Sequence, residues 1–167
     1  MSQSLQSVNI SQFVTRHMIE VFETMLSKKA VPVAAVMPPH CLERVSGSVG
    51  FAGDSVNGAV YLHMSANFAA RATAAILGLP PEQITGVAEV NDVVGEVTNM
   101  VAGGLKSALC DAGAPCAVST PAIIRGTSFV VEPIPNVERF CVTFDCEGER
   151  FMAEVHIKYS KLDANYE

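Results

Sequence analysis

The run from Glu89 to Lys106, EVNDVVGEVTNMVAGGLK, limits the possible folds more than any other part of the chain. At about 100° per residue its apolar positions gather on one side of a helix: Val90, Val93, Val94, Val97, Met100, Val101 and Leu105, with Ala108 just beyond. Asp92, Glu96, Asn99, Gly103 and Lys106 gather on the other side. A solvated helix face is normally covered by long Lys, Glu and Arg side chains. Here it carries two carboxylates, an amide and a bare glycine in a line, one turn apart. Gly103 and Gly104 each cost about 1 kcal/mol relative to alanine inside a helix. Close approach of another backbone is the usual reason for accepting that cost. The stripe therefore reads as a docking surface bearing two chemical groups, Glu96 and Asn99. The competing reading is an ordinary solvated face, and spacing alone does not choose between the two.

The rest of the composition bounds what such a helix can belong to. The 167 residues, 49 % hydrophobic and 17 % charged, fit one globular domain over 1–167 with a sizeable core. Mean hydropathy is +0.30, yet the longest apolar stretch, from Ala30 to Met37, is short and broken by Pro32. That falls well under the roughly 18–20 residues of a membrane span. The polar start, residues 1–11, has no basic, then apolar, signal pattern, so a cytoplasmic location is expected. Net charge is −6, and no basic cluster is visible. Phosphate neutralisation underlies nucleic-acid binding, so that class is set aside, and a partner presenting lysine or arginine is favoured. Five cysteines, Cys41, Cys110, Cys116, Cys141 and Cys146, show no C-x-x-C pair and read as reduced, mostly buried thiols. The histidines, His17, His40, His63 and His156, form no ligand spacing, so no metal of the protein's own is expected.

Along the chain, Ser11 caps a first helix reaching about Ser27, with His17 inside its apolar stripe. A histidine there is expected to be a bonded core or edge residue. Residues 30–39 are punctuated by prolines and read as an edge strand or crossover. Val45 to Gly53 alternates, Asn57-Gly58 marks a turn, and Ala59 to Met64 returns, giving a hairpin. Asn67 caps an alanine-rich helix through Leu77, ended by Gly78 and Pro80-Pro81. After the long helix come candidate strands at Ala117–Ile124, Ser128–Pro133, Arg139–Asp145 and Arg150–Tyr159, with turns at Arg125-Gly126-Thr127 and Glu147-Gly148-Glu149. This order predicts an α+β domain: a mostly antiparallel sheet of about six strands, covered on one face by three helices.

The spacing Asp92-x3-Glu96-x2-Asn99, within Asn91 to Gly103, resembles the CheC/CheX/FliY family of chemotaxis phosphatases, and CheX in particular. Ser119-Thr120-Pro121-Ala122-Ile123-Ile124-Arg125-Gly126 resembles the family's downstream proline segment, and Val21-Phe22-Glu23-Thr24-Met25 resembles the CheX start. One copy of the signature is present. Two departures stand out: Gly104 occupies a position where CheX has asparagine, and the spacing from Asn99 to Pro121 is a residue shorter than the family pattern.

The resemblance implies a phosphatase acting on the aspartyl phosphate of a CheY-like response regulator. Asn99 would orient the attacking water, and Glu96 would pair with the regulator's active-site lysine. Asp92, Gly103 and Lys106 would contribute to docking, Asp92 by shaping the stripe or its helix start. The required Mg²⁺ would belong to the regulator, and a homodimer joined through the sheets is implied. The alternative is a non-catalytic docking module for a receiver domain or flagellar-switch component. An enzyme acting alone has little support, because there is no nucleophile–histidine pairing, Gly-rich phosphate loop or metal cluster.

Overall fold

The computed structural model describes residues 8–35 and 43–160. Helix α1 (Ile10–Val21) continues into one π-helical turn, Phe22–Leu26. Strands β1 (Val31–Pro32), β2 (Arg44–Ala52) and β3 (Val56–Ser65) follow, then helices α2 (Ala66–Leu77) and α3 (Val87–Asp111). Strands β4 (Ala117–Val118), β5 (Ala122–Gly126), β6 (Glu138–Cys146) and β7 (Glu149–Tyr159) complete one antiparallel sheet. The strand order is β1-β6-β7-β3-β2, with β4 and β5 both on the far edge of β2. The predicted α+β architecture of three helices on a mostly antiparallel sheet is the one observed.

Strand alternation divides the sheet into two unlike faces. Val45, Val49, Val60, Leu62, Met64, Phe151, Ala153, Val155 and Ile157 point toward the helices and are almost wholly buried. Phe22 of the π turn stacks on Phe151 with centroids 4.4 Å apart, fixing the end of α1 over β7. The opposite face carries Ser46, Tyr61, His63, Arg139, Glu154 and His156, and it is crossed by residues 127–137. That segment leaves β5 on one side of β2 and must reach β6, four strand positions away, a distance of about 19 Å at the usual strand spacing. Glu132, Pro133, Ile134 and Val137 border a groove with Ala59, Tyr61 and His156. The strand expected at Ser128–Pro133 is therefore absent: this segment runs across strands, and it is held by Arg44, whose Nη2 donates to the Phe129 carbonyl.

Several local expectations also give way to neighbouring residues. Asn9, not Ser11, caps α1, its side chain accepting from Gln12 N–H at 3.0 Å. Ser65, not Asn67, caps α2 at the Phe68 N–H, because the helix starts directly off the end of β3. The β2–β3 turn is residues 53–55, and Asn57 and Gly58 lie inside β3 opposite Ala52 and Phe51. Gly58 is required there because a β-carbon would collide with the His156 carbonyl and the Phe51 ring. Arg125 and Gly126 close β5 rather than forming a turn. The strand expected over Ala117–Ile124 is broken: Val118 faces Phe51 and Ala122 faces Ser48. Four steps thus oppose three (122 − 118 against 51 − 48), an extra residue of the bulge kind. By contrast, a turn does fall at the expected Glu147-Gly148-Glu149, shortened to the two residues Glu147 (φ 56°) and Gly148 (φ 83°) because Glu149 already pairs with Cys146 as the first residue of β7. Of the described cysteines all are free, but only Cys146 is fully buried and Cys141 is exposed, so the expectation of mostly buried thiols fails. Cys41 and His40 lie outside the described residues.

Candidate functional site

Among the described residues, helix α3 is wedged on three sides and one strip of it is left open. Against the sheet, Thr98 Oγ donates to Val94 O at 2.6 Å and sits directly over Gly47, where a β-carbon would collide with it. Toward β5, Gly95 faces the ring of Pro121, whose Cβ lies 3.5 Å from where a Gly95 β-carbon would be. The helix signature and the proline segment are thus in contact. Toward α1, Gly104 admits the ring of His17, which overlaps the position of a β-carbon there. His17 Nε2 donates to the Met100 carbonyl at 3.3 Å, and Nδ1 lies 3.3 Å from Glu20. His17 is the bonded edge histidine its place in the apolar stripe suggested.

The open strip carries the five stripe residues. Asp92 and Glu96 are exposed, while Asn99, Gly103 and Lys106 are half-buried. From Asp92 to Lys106 the strip is about 21 Å long, and Glu96 and Asn99 are about 4.5 Å apart along the axis at 1.5 Å per residue. Neither Glu96 nor Asn99 makes a side-chain hydrogen bond or ion pair among the described residues, so both are left to solvent or a partner. A β-carbon at Gly103 meets nothing within 4 Å. The two adjacent glycines therefore have different reasons: Gly104 accommodates α1 of the same chain, whereas Gly103 leaves the strip flat. Beside the strip, Met25, Ile76, Val93 and Val97 line a pocket of about 310 Å³ with Asp92 and Glu96 also on its wall. The sequence placed Met25, Val93 and Val97 on apolar stripes, but only folding brings Ile76 of α2 beside them.

A second polar cluster lies on the far face of the sheet. Glu154 receives hydrogen bonds from His63 Nε2 (3.1 Å), His156 Nε2 (2.6 Å) and Arg139 Nε, while His63 Nδ1 meets Ser46 Oγ at 2.7 Å. Burial alone would raise the Glu154 carboxyl, but its three donors outweigh that and hold it at about 2, against an ordinary 4.5. Ser46 and Glu154 are at most 1 % exposed, so this Ser–His–Glu chain is closed to substrate. Sequence spacing missed it because its members sit on three neighbouring strands. The i,i+2 pair Glu154 and His156 on one strand face was the available signal. Among the described residues, no group of three or more His, Cys, Asp or Glu side chains could hold a metal ion. No helix of the described residues is long and apolar enough to cross a membrane.

The sequence profile of the chemotaxis phosphatase CheX family matches residues 45–145, well over half of the 167-residue chain. The chain belongs to the CheX family. Its fold is similar to that of the chemotaxis protein CheX from Vibrio vulnificus, with 24 % identity, TM-score 0.75, and 90 % of this chain and 97 % of that one covered. A chain of the CheX–CheY–BeF₃–Mg²⁺ complex from Borrelia burgdorferi is 20 % identical with TM-score 0.70, covering 90 % and 99 %. FliY of Thermotoga maritima shares the fold at 14 % identity and TM-score 0.63, covering 97 % and 92 %. No curated protein sequence matches the chain. The region matched by the CheX family profile includes all of α3, and with it every residue of the open strip.

Proposed function

We propose that this CheX-family protein hydrolyses the aspartyl phosphate of a CheY-like response regulator, with Glu96 and Asn99 as its working residues. The observation that carries the reading is the pair itself: two polar side chains without partners among the described residues, one turn apart on an open strip of a helix packed on its other sides. In this reading the strip docks against the phosphorylated regulator, and the flat step at Gly103 lets the regulator's backbone approach. The Asn99 amide accepts from and donates to one water, aligning its oxygen opposite the aspartyl leaving group. The water oxygen bonds to phosphorus, the bond from phosphorus to the aspartyl oxygen breaks, and inorganic phosphate leaves with the aspartate restored. An acyl phosphate is already activated, so a positioned nucleophile matters more than a strong base.

Glu96 pairs with the regulator's active-site lysine and fixes the register of docking. Asp92, Gly103 and Lys106 complete the docking surface, with the carboxylates at one end and the cation at the other. Mg²⁺, which the Borrelia burgdorferi complex contains together with CheY and BeF₃, belongs in this reading to the regulator. We place the reaction in the cytoplasm and treat residues 1–167 as one domain. We also propose a homodimer joined through the β6 edge: among the described residues β1 pairs with Phe144 and Asp145 and Val33 N–H reaches the Thr143 carbonyl at 2.9 Å, and Glu138 to Val142 meet no described strand on that side.

Phosphate release from a phosphorylated CheY-like regulator, measured with and without the protein, tests the function. Acceleration at substoichiometric protein supports it. Binding of the regulator without acceleration contradicts it and favours the docking-module alternative.

A further inference from the structure

The pocket beside Glu96 has a makeup that the two signature residues do not explain. Its apolar lining comes from three separate elements: Met25 of the π turn, Ile76 of α2, and Val93 and Val97 of α3. Asp92 and Glu96 complete the wall, both exposed, and neither has a cationic partner among the described residues. A purely apolar anchor would fill such a pocket but leave two carboxylates beside it partly desolvated, which is costly without compensating bonds. A long basic side chain satisfies both parts, because lysine and arginine lay an aliphatic stem on apolar surface and keep the charged head at its edge.

Resting on the regulator-docking reading above, we infer that this pocket receives a basic side chain of the docked regulator other than its active-site lysine, the stem on Ile76, Val93 and Val97 and the head on Asp92. Glu96 then stands between two cations: the active-site lysine toward Asn99, and the second cation toward Asp92. Asp92 is about 6 Å farther than Glu96 from Asn99 along the axis, at 1.5 Å per residue. That gives it no reach to the reacting phosphorus and assigns it to selecting the partner. Complementary charge in such a contact acts through affinity and partner choice more than through the chemical step. The pocket thus distinguishes regulators that carry a basic residue at this point of their surface from those that do not.

The test uses the full chain and a CheY-like regulator loaded with beryllofluoride and Mg²⁺ for binding, and the same regulator phosphorylated for turnover. Asp92→Asn removes the charge, and Ile76→Arg lets the protein fill the pocket with a basic side chain of its own. Each is expected to weaken binding about tenfold or more, the effect of losing one good interface contact, with KM rising by more than kcat falls. Circular dichroism melting of both variants guards against misfolding. Reversing the regulator's lysines and arginines to glutamate one at a time is expected to reveal one position outside its active site that weakens binding to the parent and is rescued by Asp92→Lys.

Unchanged affinity in both Asp92→Asn and Ile76→Arg, or no rescued position, overturns the inference. That failure is distinct from failure of the phosphatase reading, which appears as no phosphate release by the parent even though the beryllofluoride-loaded regulator binds. A parent that binds no activated regulator overturns both.

Discussion

The imidazole of His17 occupies the space that a β-carbon on Gly104 would need, while the same carbon on Gly103 would meet nothing within 4 Å. Two adjacent glycines in one helix are thus set apart by what faces them. Gly104→Ala is expected to displace His17 from the Met100 carbonyl and destabilise the protein by about 1–2 kcal/mol despite the gain in helix propensity. Combined with His17→Ala, it should lose most of that penalty. Urea unfolding of the two single variants and the double variant checks this, and equal cost of Gly104→Ala with and without His17 would contradict the packing argument.

Gly103→Leu is expected to do the opposite. With open space around its β-carbon, the leucine should leave stability unchanged or raise it by up to about 1 kcal/mol. Binding to an activated regulator should weaken, because a side chain now stands where the partner's backbone approaches. A thermal midpoint that falls, with regulator binding unchanged, would reverse the assignment.

The contrast between these glycines shows how far the sequence carries. Helical periodicity placed α3 and its polar stripe correctly, because the apolar pattern over Val90 to Leu105 is long and regular. It could not tell Gly103 from Gly104, since the difference lies in His17, 87 positions away from residue 104 (104 − 17). Asn57-Gly58, a turn by its dipeptide, lies inside β3 for the same reason. That glycine answers to the His156 carbonyl on a neighbouring strand, not to a local bend. The apolar residues in Ser128–Pro133 suggested a strand, but Val130 is 74 % exposed in a segment that crosses the sheet. The placement of Glu96 and Asn99 on one face of α3 follows from periodicity because both residues sit on one regular element. The pocket beside them does not, because Ile76 arrives from another helix.

Stability in acid should depend on Glu154. Its folded-state carboxyl, held at about 2 by His63, Arg139 and His156 against the cost of burial, lies below its ordinary value. The stabilisation is therefore complete above pH 4.5 and is lost as pH falls from there toward 2. Glu154→Gln is expected to cost about 3 kcal/mol at neutral pH, the order found when a buried charge pair loses one member. Its stability should also vary less steeply with pH over that window. Denaturant titrations at several pH values give the comparison, and parallel profiles for parent and variant would contradict it.

The proposed homodimer uses the first half of β6, and light scattering at micromolar concentration is expected to give twice the 17.7 kDa chain mass. A monomer mass would remove it. A dimer in which Asn99 becomes buried would contradict the docking surface as well.

Glu96 and Asn99 should fail in different ways. Glu96→Ala leaves the regulator's lysine without its carboxylate, and truncating one member of such a pair costs about 2–5 kcal/mol of binding. Its defect should therefore appear mainly in affinity for the beryllofluoride-loaded regulator. Calorimetry with that regulator would show the loss, and an affinity equal to the parent's would refute the pairing.

The central claim, that the Asn99 amide positions the attacking water, is tested most directly by phosphate release at saturating phosphorylated regulator. Asn99→Ala is expected to lower kcat by about two to three orders of magnitude, as when one positioned catalytic donor is deleted, with affinity for the activated regulator nearly unchanged. A variant that turns over as fast as the parent at saturation would contradict the claim and leave the strip as a docking surface only.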